Sequence, residues 1–199
     1  MRIGDRYSYP EARQRVGHVG PWDLMDGGGL WGSPDSPSPT QMSSFTKVAA
    51  GWLRYRPAML DRDYMLTAVE NQRMGDAVLK LDDPLGNDPL CSYYLIEARD
   101  HDALFGTPES GIVIYHVTHD RDDGHPVVDI LLCQCEDTMA FSERTFRERQ
   151  PIFKLYERST LCGAAEPDGA REYVMAGGLV VTLVAESFSP YKATIRLSH

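Results

Sequence analysis

Short apolar runs alternate with turn residues over most of the chain after residue 65. Seven runs have the length and the apolar–polar alternation of β-strands: residues 65–70, 77–81, 92–98, 111–117, 127–132, 178–186 and 192–197. The segments between them, such as 82–89, are rich in Asp, Asn, Pro and Gly and predict turns. This spacing predicts an antiparallel β-sandwich, while the charged segment 142–153 fits either a short helix or a loop.

The beginning of the chain has a different pattern. Glycine and proline clusters at residues 27–29, 32–34 and 36–39 predict neither regular helix nor strand. No residues in this stretch resemble the G-x-x-x-x-G-K-[ST] phosphate loop, so we interpret the clusters as a glycine-rich active-site loop that binds no phosphate.

A short helix is predicted directly after these clusters. Ser43 or Ser44 is placed to cap it, and Gly51 and Pro57 mark its end. Apolar residues follow the cap at helical spacing: Phe45, Val48, Ala49 and Trp52. We expect this face to pack in the core, with Trp52 as an anchor.

These patterns together predict an α+β fold that is mostly β. We expect two units, residues 1–60 and a β-rich, sandwich-like domain at 61–199, with the boundary near residues 56–66. The length of 199 residues allows one large domain or two small ones.

Composition limits the classes of function. The formal net charge is −9 and the basic residues are scattered, which argues against a nucleic-acid partner. No apolar run approaches the roughly 18–20 residues of a spanning helix, so we expect a soluble chain without a membrane span. Charged and turn residues follow Met1 directly, so no signal peptide is expected in this chain.

Four cysteines allow two disulfides in three connectivities, or buried free thiols: Cys91, Cys133, Cys135 and Cys162. Cys133 and Cys135 are separated by one residue, which is not the C-x-x-C spacing of redox or zinc-ribbon sites. The cysteine count therefore assigns no compartment.

Several blocks resemble one family of secreted enzymes. Residues 20–29 read GPWDLMDGGG, and Trp22, Asp23, Leu24 and Met25 followed by glycines resemble the methionine turn below the zinc of metzincin proteases. Residues 43–53 (SSFTKVAAGWL), 93–99 (YYLIEAR), 111–117 (GIVIYHV) and 123–129 (DGHPVVD) are similar to successive blocks of the immune inhibitor A type of metallopeptidase. The resemblance covers about residues 5–140.

This resemblance implies a zinc-dependent endopeptidase acting on protein or peptide substrates. Family members carry an H-E-x-x-H helix before the turn, and no such motif occurs here, so we expect that helix, and a secretion signal, to precede Met1 in a secreted parent. The resemblance makes residues 1–60 the end of the catalytic lobe, Met25 its floor, and Asp5 the candidate third zinc ligand. Arg2 stands where the family has a glycine, and Asp5 is also an ordinary turn residue.

Catalytic zinc needs three protein ligands and an open position. We therefore expect the isolated chain to be inactive as a peptidase. The alternative is a non-catalytic β-sandwich that works as a binding or interaction module.

A second metal site is a further hypothesis. Three aspartates, Asp120, Asp122 and Asp123, follow His116 and His119 and precede His125 in the sequence. Carboxylates there would suit calcium. Residues 120–124 (DRDDG) fall short of the D-x-[DN]-x-[DN]-G calcium loop, so a solvated acidic loop closing a hairpin is the alternative. No serine or cysteine lies in a nucleophile motif.

Two charged residues in a predicted strand share one face. Side chains two positions apart lie on the same face of a strand, so Glu97 and Arg99 share a face with each other and with Tyr93 and Leu95. We expect Glu97 and Arg99 to form a buried network that joins the two units.

Overall fold

The regular structure is mostly β. The computed structural model describes residues 19, 22–25, 32–33, 36–37, 39–71, 78–86, 92–100, 110–119, 126–130, 171–187 and 191–199. In order along the chain, the elements in these ranges are β1 (Gly32–Ser33), β2 (Ser36–Pro37), α1 (Ser44–Ala49), β3 (Tyr55–Pro57), β4 (Arg62–Thr67), β5 (Val78–Asp82), β6 (Ser92–Arg99), β7 (Gly111–His119), β8 (Pro126–Ile130), β9 (Arg171–Val174), β10 (Val180–Ser187) and β11 (Lys192–Ser198). Short 3-10 turns at Val69–Asn71 and Ala176–Gly178 follow β4 and β9.

The strands form two main sheets. The five-stranded sheet has the order β3-β5-β6-β7-β8, and the four-stranded sheet has the order β4-β11-β10-β9. Their pairs are antiparallel except for β3 and β5, which run parallel. The predicted mostly-β fold with antiparallel sheets is confirmed.

The two sheets pack face to face. Leu79, Ile96 and Ile112 of the five-stranded sheet belong to one buried cluster with Leu183 and Ile195 of the four-stranded sheet. Successive residues of a strand point to opposite faces, so the alternate positions of β5, β6 and β7 point away from this core.

The second face of the five-stranded sheet is also covered. Leu95, Val113 and Tyr115 form a second buried cluster with Trp22 and Phe45, which precede the strands in the sequence. Burial on both faces explains why β6 and β7 are almost continuously apolar. The described part of residues 19–60 therefore packs directly on the β-rich part, and the boundary near residues 56–66 stays a prediction.

Helix α1 begins as predicted but ends earlier. Ser43 is its N-cap, and its hydroxyl accepts a hydrogen bond from the Thr46 N–H. Gly51, with φ of 77°, closes the helix. Its N–H donates to the Val48 carbonyl and the Trp52 N–H donates to the Lys47 carbonyl, both at 2.9 Å, which is the Schellman arrangement.

The expectation that Trp52 anchors the core is wrong. Its side chain is 63% exposed, whereas Leu53 is buried. The reason is that the positive φ of Gly51 turns the chain before Trp52, so the helical spacing on which the expectation rested no longer applies.

Two further expectations are corrected. Residues 32–33 and 36–37 form a two-residue antiparallel ladder, although their glycines and prolines predicted no strand. The strand predicted at residues 65–70 is observed three residues earlier, as β4. Its predicted end is not a strand because Val69–Asn71 forms a 3-10 turn. The other six predicted strands occur with ends shifted by a few residues, and segment 142–153 lies outside the described residues.

Candidate functional site

The turn at Trp22–Met25 lies on the covered face of the five-stranded sheet. Trp22 and Asp23 are buried, and Leu24 and Met25 are half-buried. The Met25 N–H donates to Asp23 Oδ1 at 3.0 Å, so the aspartate closes its own turn. The turn predicted from the resemblance thus contains a side chain, Asp23, that is fixed from both sides.

Asp23 joins the turn to the start of helix α1. Its Oδ2 accepts a hydrogen bond from the Ser43 hydroxyl and another from Thr46 Oγ1 at 2.7 Å. A carboxylate beside the first turn of a helix also interacts favourably with the free N–H groups there. Asp23 therefore fixes the position of the turn relative to α1.

Glu97 joins the sheet to the same helix. Its Oε2 accepts from the Ser44 N–H at 2.8 Å, and its Oε1 accepts from Arg99 Nη1 at 2.7 Å and from the Tyr115 hydroxyl at 2.6 Å. The carboxylate is fully buried. Burial first, and then the neighbouring Glu97 charge, raise the pKa of Tyr115 well above its usual value, so Tyr115 remains a hydrogen-bond donor.

Arg99 is fully buried and holds two backbone carbonyls. Its Nη1 donates to the Trp22 carbonyl at 2.9 Å, and its Nη2 donates to the Gln41 carbonyl at 3.2 Å. Its Nε pairs with Glu70 Oε1 at 2.5 Å. Burial alone would lower the pKa of Arg99, but Glu70 and Glu97 outweigh it and raise the pKa well above its usual value.

We call Asp23, Glu70, Glu97 and Arg99 the buried clasp. The clasp confirms that Glu97 and Arg99 form a buried network between the early segment and the sheet. Each of its six carboxylate oxygens accepts at least one hydrogen bond from the chain. The clasp carboxylates are thus hydrogen-bonded to the chain itself, and these contacts hold the backbone of the turn, the helix and the sheet.

A lysine lies at the rim of the clasp. Lys47 Nζ donates to Gln41 Oε1 at 2.7 Å. Burial, followed by the nearby Arg99 charge, lowers the pKa of Lys47, against the opposing effect of Glu70 and Glu97. Lys47 therefore supports the same backbone segment that Arg99 holds.

Sequence reasoning missed Asp23 as an anchor and Glu70 as a partner of Arg99. The sequence shows Asp23 only as part of the turn motif, and the run at 65–70 predicts Glu70 at the end of a strand. Glu70 instead lies in the 3-10 turn after β4, where its Oε2 accepts from the Asp100 N–H at 3.1 Å. No periodic signal marks such a turn residue.

The predicted metal residues lie outside the part of the chain that the structure describes, so both metal sites stay predictions. Asp5, Asp120, Asp122 and Asp123 lie outside the described residues, as do the four cysteines. Within the described ranges, no group of three or more His, Cys, Asp or Glu side chains could hold a metal ion.

His116 is used in a different way. Its Nε2 lies 3.0 Å from Asp83 Oδ2 and 3.2 Å from Ser92 Oγ, and its ring stacks on Tyr94 with centroids 4.7 Å apart. A catalytic triad needs the carboxylate at one ring nitrogen and the serine at the other. Here both partners lie at Nε2, so the group stabilises the ends of β5 and β6 and does not activate Ser92.

The Asp83 carboxylate accepts hydrogen bonds from the Leu85 N–H shortly after β5 and from Ser92 Oγ at the start of β6. Burial by itself would raise its pKa, but hydrogen bonds from Ser92 Oγ, the Leu85 N–H and His116 outweigh burial, and the net shift of the pKa is downward. Burial, followed by the Asp83 charge, raises the pKa of Tyr94 to about 12.

Comparison with known proteins adds no relative. No protein-family model matches the chain, and searches of curated proteins and of solved structures find no match. Among the described residues, no helix has the length and apolar character needed to cross a membrane.

Proposed function

We propose that this chain is the downstream portion of a zinc-dependent endopeptidase of the immune inhibitor A type, and that it holds the floor of the active site. The observation that carries the proposal is the buried clasp with its hydrogen-bond partners, because, apart from Glu70, these residues come from four separate blocks of the resemblance. The turn contributes Asp23, the helix segment contributes Ser43 and Thr46, the YYLIEAR block contributes Glu97 and Arg99, and the GIVIYHV block contributes Tyr115.

The role of the clasp follows from what it holds. A residue that forms the floor of an active site must keep its position while substrate binds and product leaves. A displacement of such a residue by about 1 Å can lower the rate about a hundredfold. Arg99 holds the carbonyl of Trp22, and Asp23 holds the N–H of Met25, so both ends of the turn are fixed by buried charges. The β-rich part thereby supports the turn from below.

The described residues do not fit a zinc ligand set, because the clasp carboxylates are occupied by donors from the chain. In an enzyme of this class, zinc activates the water that attacks the peptide carbonyl. Ligands would come from outside the described residues, with Asp5 as the candidate in this chain. No bond-making step falls to the clasp, and we propose that the chain alone does not cleave peptides.

The test combines the coding sequence before Met1 with an activity assay. We expect an in-frame H-E-x-x-H motif a few residues before Gly4, and we expect the longer product to hydrolyse casein. The hydrolysis should stop with a zinc chelator or when the motif glutamate is replaced by glutamine. The 199-residue chain, assayed in parallel with added zinc, should not cleave casein.

Two outcomes contradict the proposal. Zinc-dependent cleavage by the 199-residue chain would show that we have assigned it the wrong role. An unrelated upstream sequence, with a longer product that is inactive, would favour the second candidate function, a non-catalytic binding module. That alternative predicts a cooperative thermal transition that zinc does not shift. The exposed side chains of Trp52, before β3, and Tyr55, in β3, favour it.

A further inference from the structure

A strip of exposed apolar side chains follows the free edge of the five-stranded sheet. Trp52 is 63% exposed, Tyr55 is 43% exposed and Met59 is 54% exposed. Arg54 is exposed between the two aromatic residues. We call Trp52, Arg54, Tyr55 and Met59 the β3 edge.

Among the described strands, only β5 pairs with β3, so one side of the β3 backbone has no strand partner. The Ala58 N–H donates to the Lys80 carbonyl of β5 at 2.7 Å, so in the parallel ladder the backbone groups of Arg56 also point to β5. The groups of Tyr55 and Pro57 consequently point away from β5. Pro57 has no N–H to lose there, which is where a sheet tolerates proline. Within the described ranges no strand lies beside them, so the Tyr55 N–H and C=O, and the Pro57 C=O, are open to an added strand.

The aromatic side chains are held in place. The Schellman closure of α1 fixes the backbone of Trp52, and the buried Leu53 anchors the next residue. The Lys80 ammonium lies 5.4 Å from the ring centroid of Tyr55, at cation–π distance. Rigid, exposed aromatic residues lose little entropy on binding and are typical anchors of interfaces.

The charge of the edge is opposite to that of the protein. Residues 51–60 contain Arg54 and Arg56 and no acidic residue, although the whole chain has a formal net charge of −9. A positive edge on a negative protein attracts negatively charged partners and selects against basic ones. Two copies paired edge to edge about a two-fold axis would place like charges together, which disfavours a second copy as the occupant.

We propose that the β3 edge binds an extended, acidic peptide segment, which adds as a strand beside β3. The backbone of Tyr55 pairs with the peptide, Trp52 and Tyr55 contact its apolar side chains, and Arg54 contacts its carboxylates. This mode gives affinity through main-chain hydrogen bonds and specificity through alternate side chains. The inference is independent of the peptidase proposal, because it uses no residue of the turn or the clasp.

The test measures fluorescence anisotropy with two labelled hexapeptides, one alternating valine and glutamate and the other alternating valine and lysine. Because the edge is short, the 199-residue protein is titrated up to about millimolar concentration. We expect saturable binding of the glutamate peptide alone, weakened by added salt. Trp52→Ser should weaken binding about tenfold or more, and Arg54→Glu should remove the preference for glutamate.

Matched variants separate the edge from general surface effects. Met65→Ser removes an apolar side chain that is 68% exposed on β4 of the other sheet, and Arg62→Glu reverses an exposed charge there. Both should bind the glutamate peptide like the parent protein. The thermal midpoint of each variant, measured in the same buffer, establishes that it is folded.

Four results would overturn the inference, three of them in the binding assay. These three are equal binding of both peptides, no binding by a folded parent protein, and loss of binding in the Met65→Ser control as large as in Trp52→Ser. A concentration-dependent dimer that Trp52→Ser abolishes would identify a second copy as the occupant and would also overturn it.

Discussion

Replacing Arg99 by methionine tests whether the buried clasp holds the early segment on the sheet. The substitution keeps an unbranched side chain of similar length but removes every donor. Glu70 and Glu97 then remain buried next to each other without their cation, and the carbonyls of Trp22 and Gln41 lose their donors. We expect this change to destabilise the fold more than any surface substitution.

The magnitude follows from burial. Removing one partner of a buried ion pair typically costs about 3–5 kcal/mol, because an uncompensated charge remains. Each carbonyl left without a donor adds about 1–3 kcal/mol, although these costs overlap and do not add in full. The total free energy of unfolding of a domain is about 5–15 kcal/mol. We therefore expect Arg99→Met to lower it by at least about 3 kcal/mol.

The assay is urea denaturation followed by far-ultraviolet circular dichroism. The matched control is Arg196→Met, since Arg196 makes a similar fork to Asp63, at 2.7 and 3.0 Å, on the exposed face of the other sheet. We expect a much smaller loss in the control, because solvent screens an exposed pair. Hydrogen exchange should show the amides of residues 22–25 opening first in Arg99→Met.

Two results would refute this reasoning. If Arg99→Met lowers the free energy of unfolding by less than about 1 kcal/mol, the buried charges do not carry the stability we assign to them. If Arg99→Met lowers the free energy of unfolding by the expected amount but hydrogen exchange at residues 22–25 is no faster, the clasp stabilises the sheet but does not hold the turn. Arg99→Lys should lie between the parent and Arg99→Met, since a lysine cannot reproduce the planar fork.

Three further predictions concern other residues. The pKa of Asp83 is lowered in the folded state, so the stability that its carboxylate contributes is complete above the usual pKa of 3.8 and is lost as the pH falls through the lower folded pKa. When the thermal midpoint is measured between about pH 2 and pH 7, Asp83→Asn should reduce its fall at acid pH. Gly177 and Gly178 both have φ of 76°, but an added Cβ would lie 2.5 Å from Pro84 Cγ only at Gly177. By urea denaturation, Gly177→Ala should cost about 2–3 kcal/mol and Gly178→Ala about 1 kcal/mol, and equal costs would contradict the role of this contact. Asp23→Ala leaves two hydroxyls and an N–H without their acceptor and should cost about 2 kcal/mol in the same assay; an unchanged free energy of unfolding would show that solvent replaces the carboxylate.

The sequence predicted the strands well because their signal is local. Alternating or continuous apolar runs bounded by turn residues identified seven strands, and the shared face of Glu97 and Arg99 followed from the period of two residues. Strands β1, β2, β3 and β9 were missed. Strand β3 contains a proline and has only three residues, and it is a strand only because β5 pairs with it.

The candidate site was predictable only in part. The turn at Trp22–Met25 and the pair of Glu97 and Arg99 were identified from the sequence. The sequence predicted that the pair joins the two units, but not that Arg99 contacts the Trp22 carbonyl. The role of Glu70 could not be read from the chain, because it depends on how a 3-10 turn after β4 reaches the other sheet. Whether Asp5 is a zinc ligand stays a prediction.

The sequence by itself determined the approximate positions of seven strands, where α1 begins and which side chains share a face of a strand. These properties depend on backbone preferences and on the period of side-chain direction, which act over a few residues. The tertiary structure decided that Arg99 holds the carbonyls of Trp22 and Gln41, and that Trp52 points to solvent. These contacts join residues as many as 77 positions apart, and they form because a buried charge must find partners wherever the packed chain supplies them.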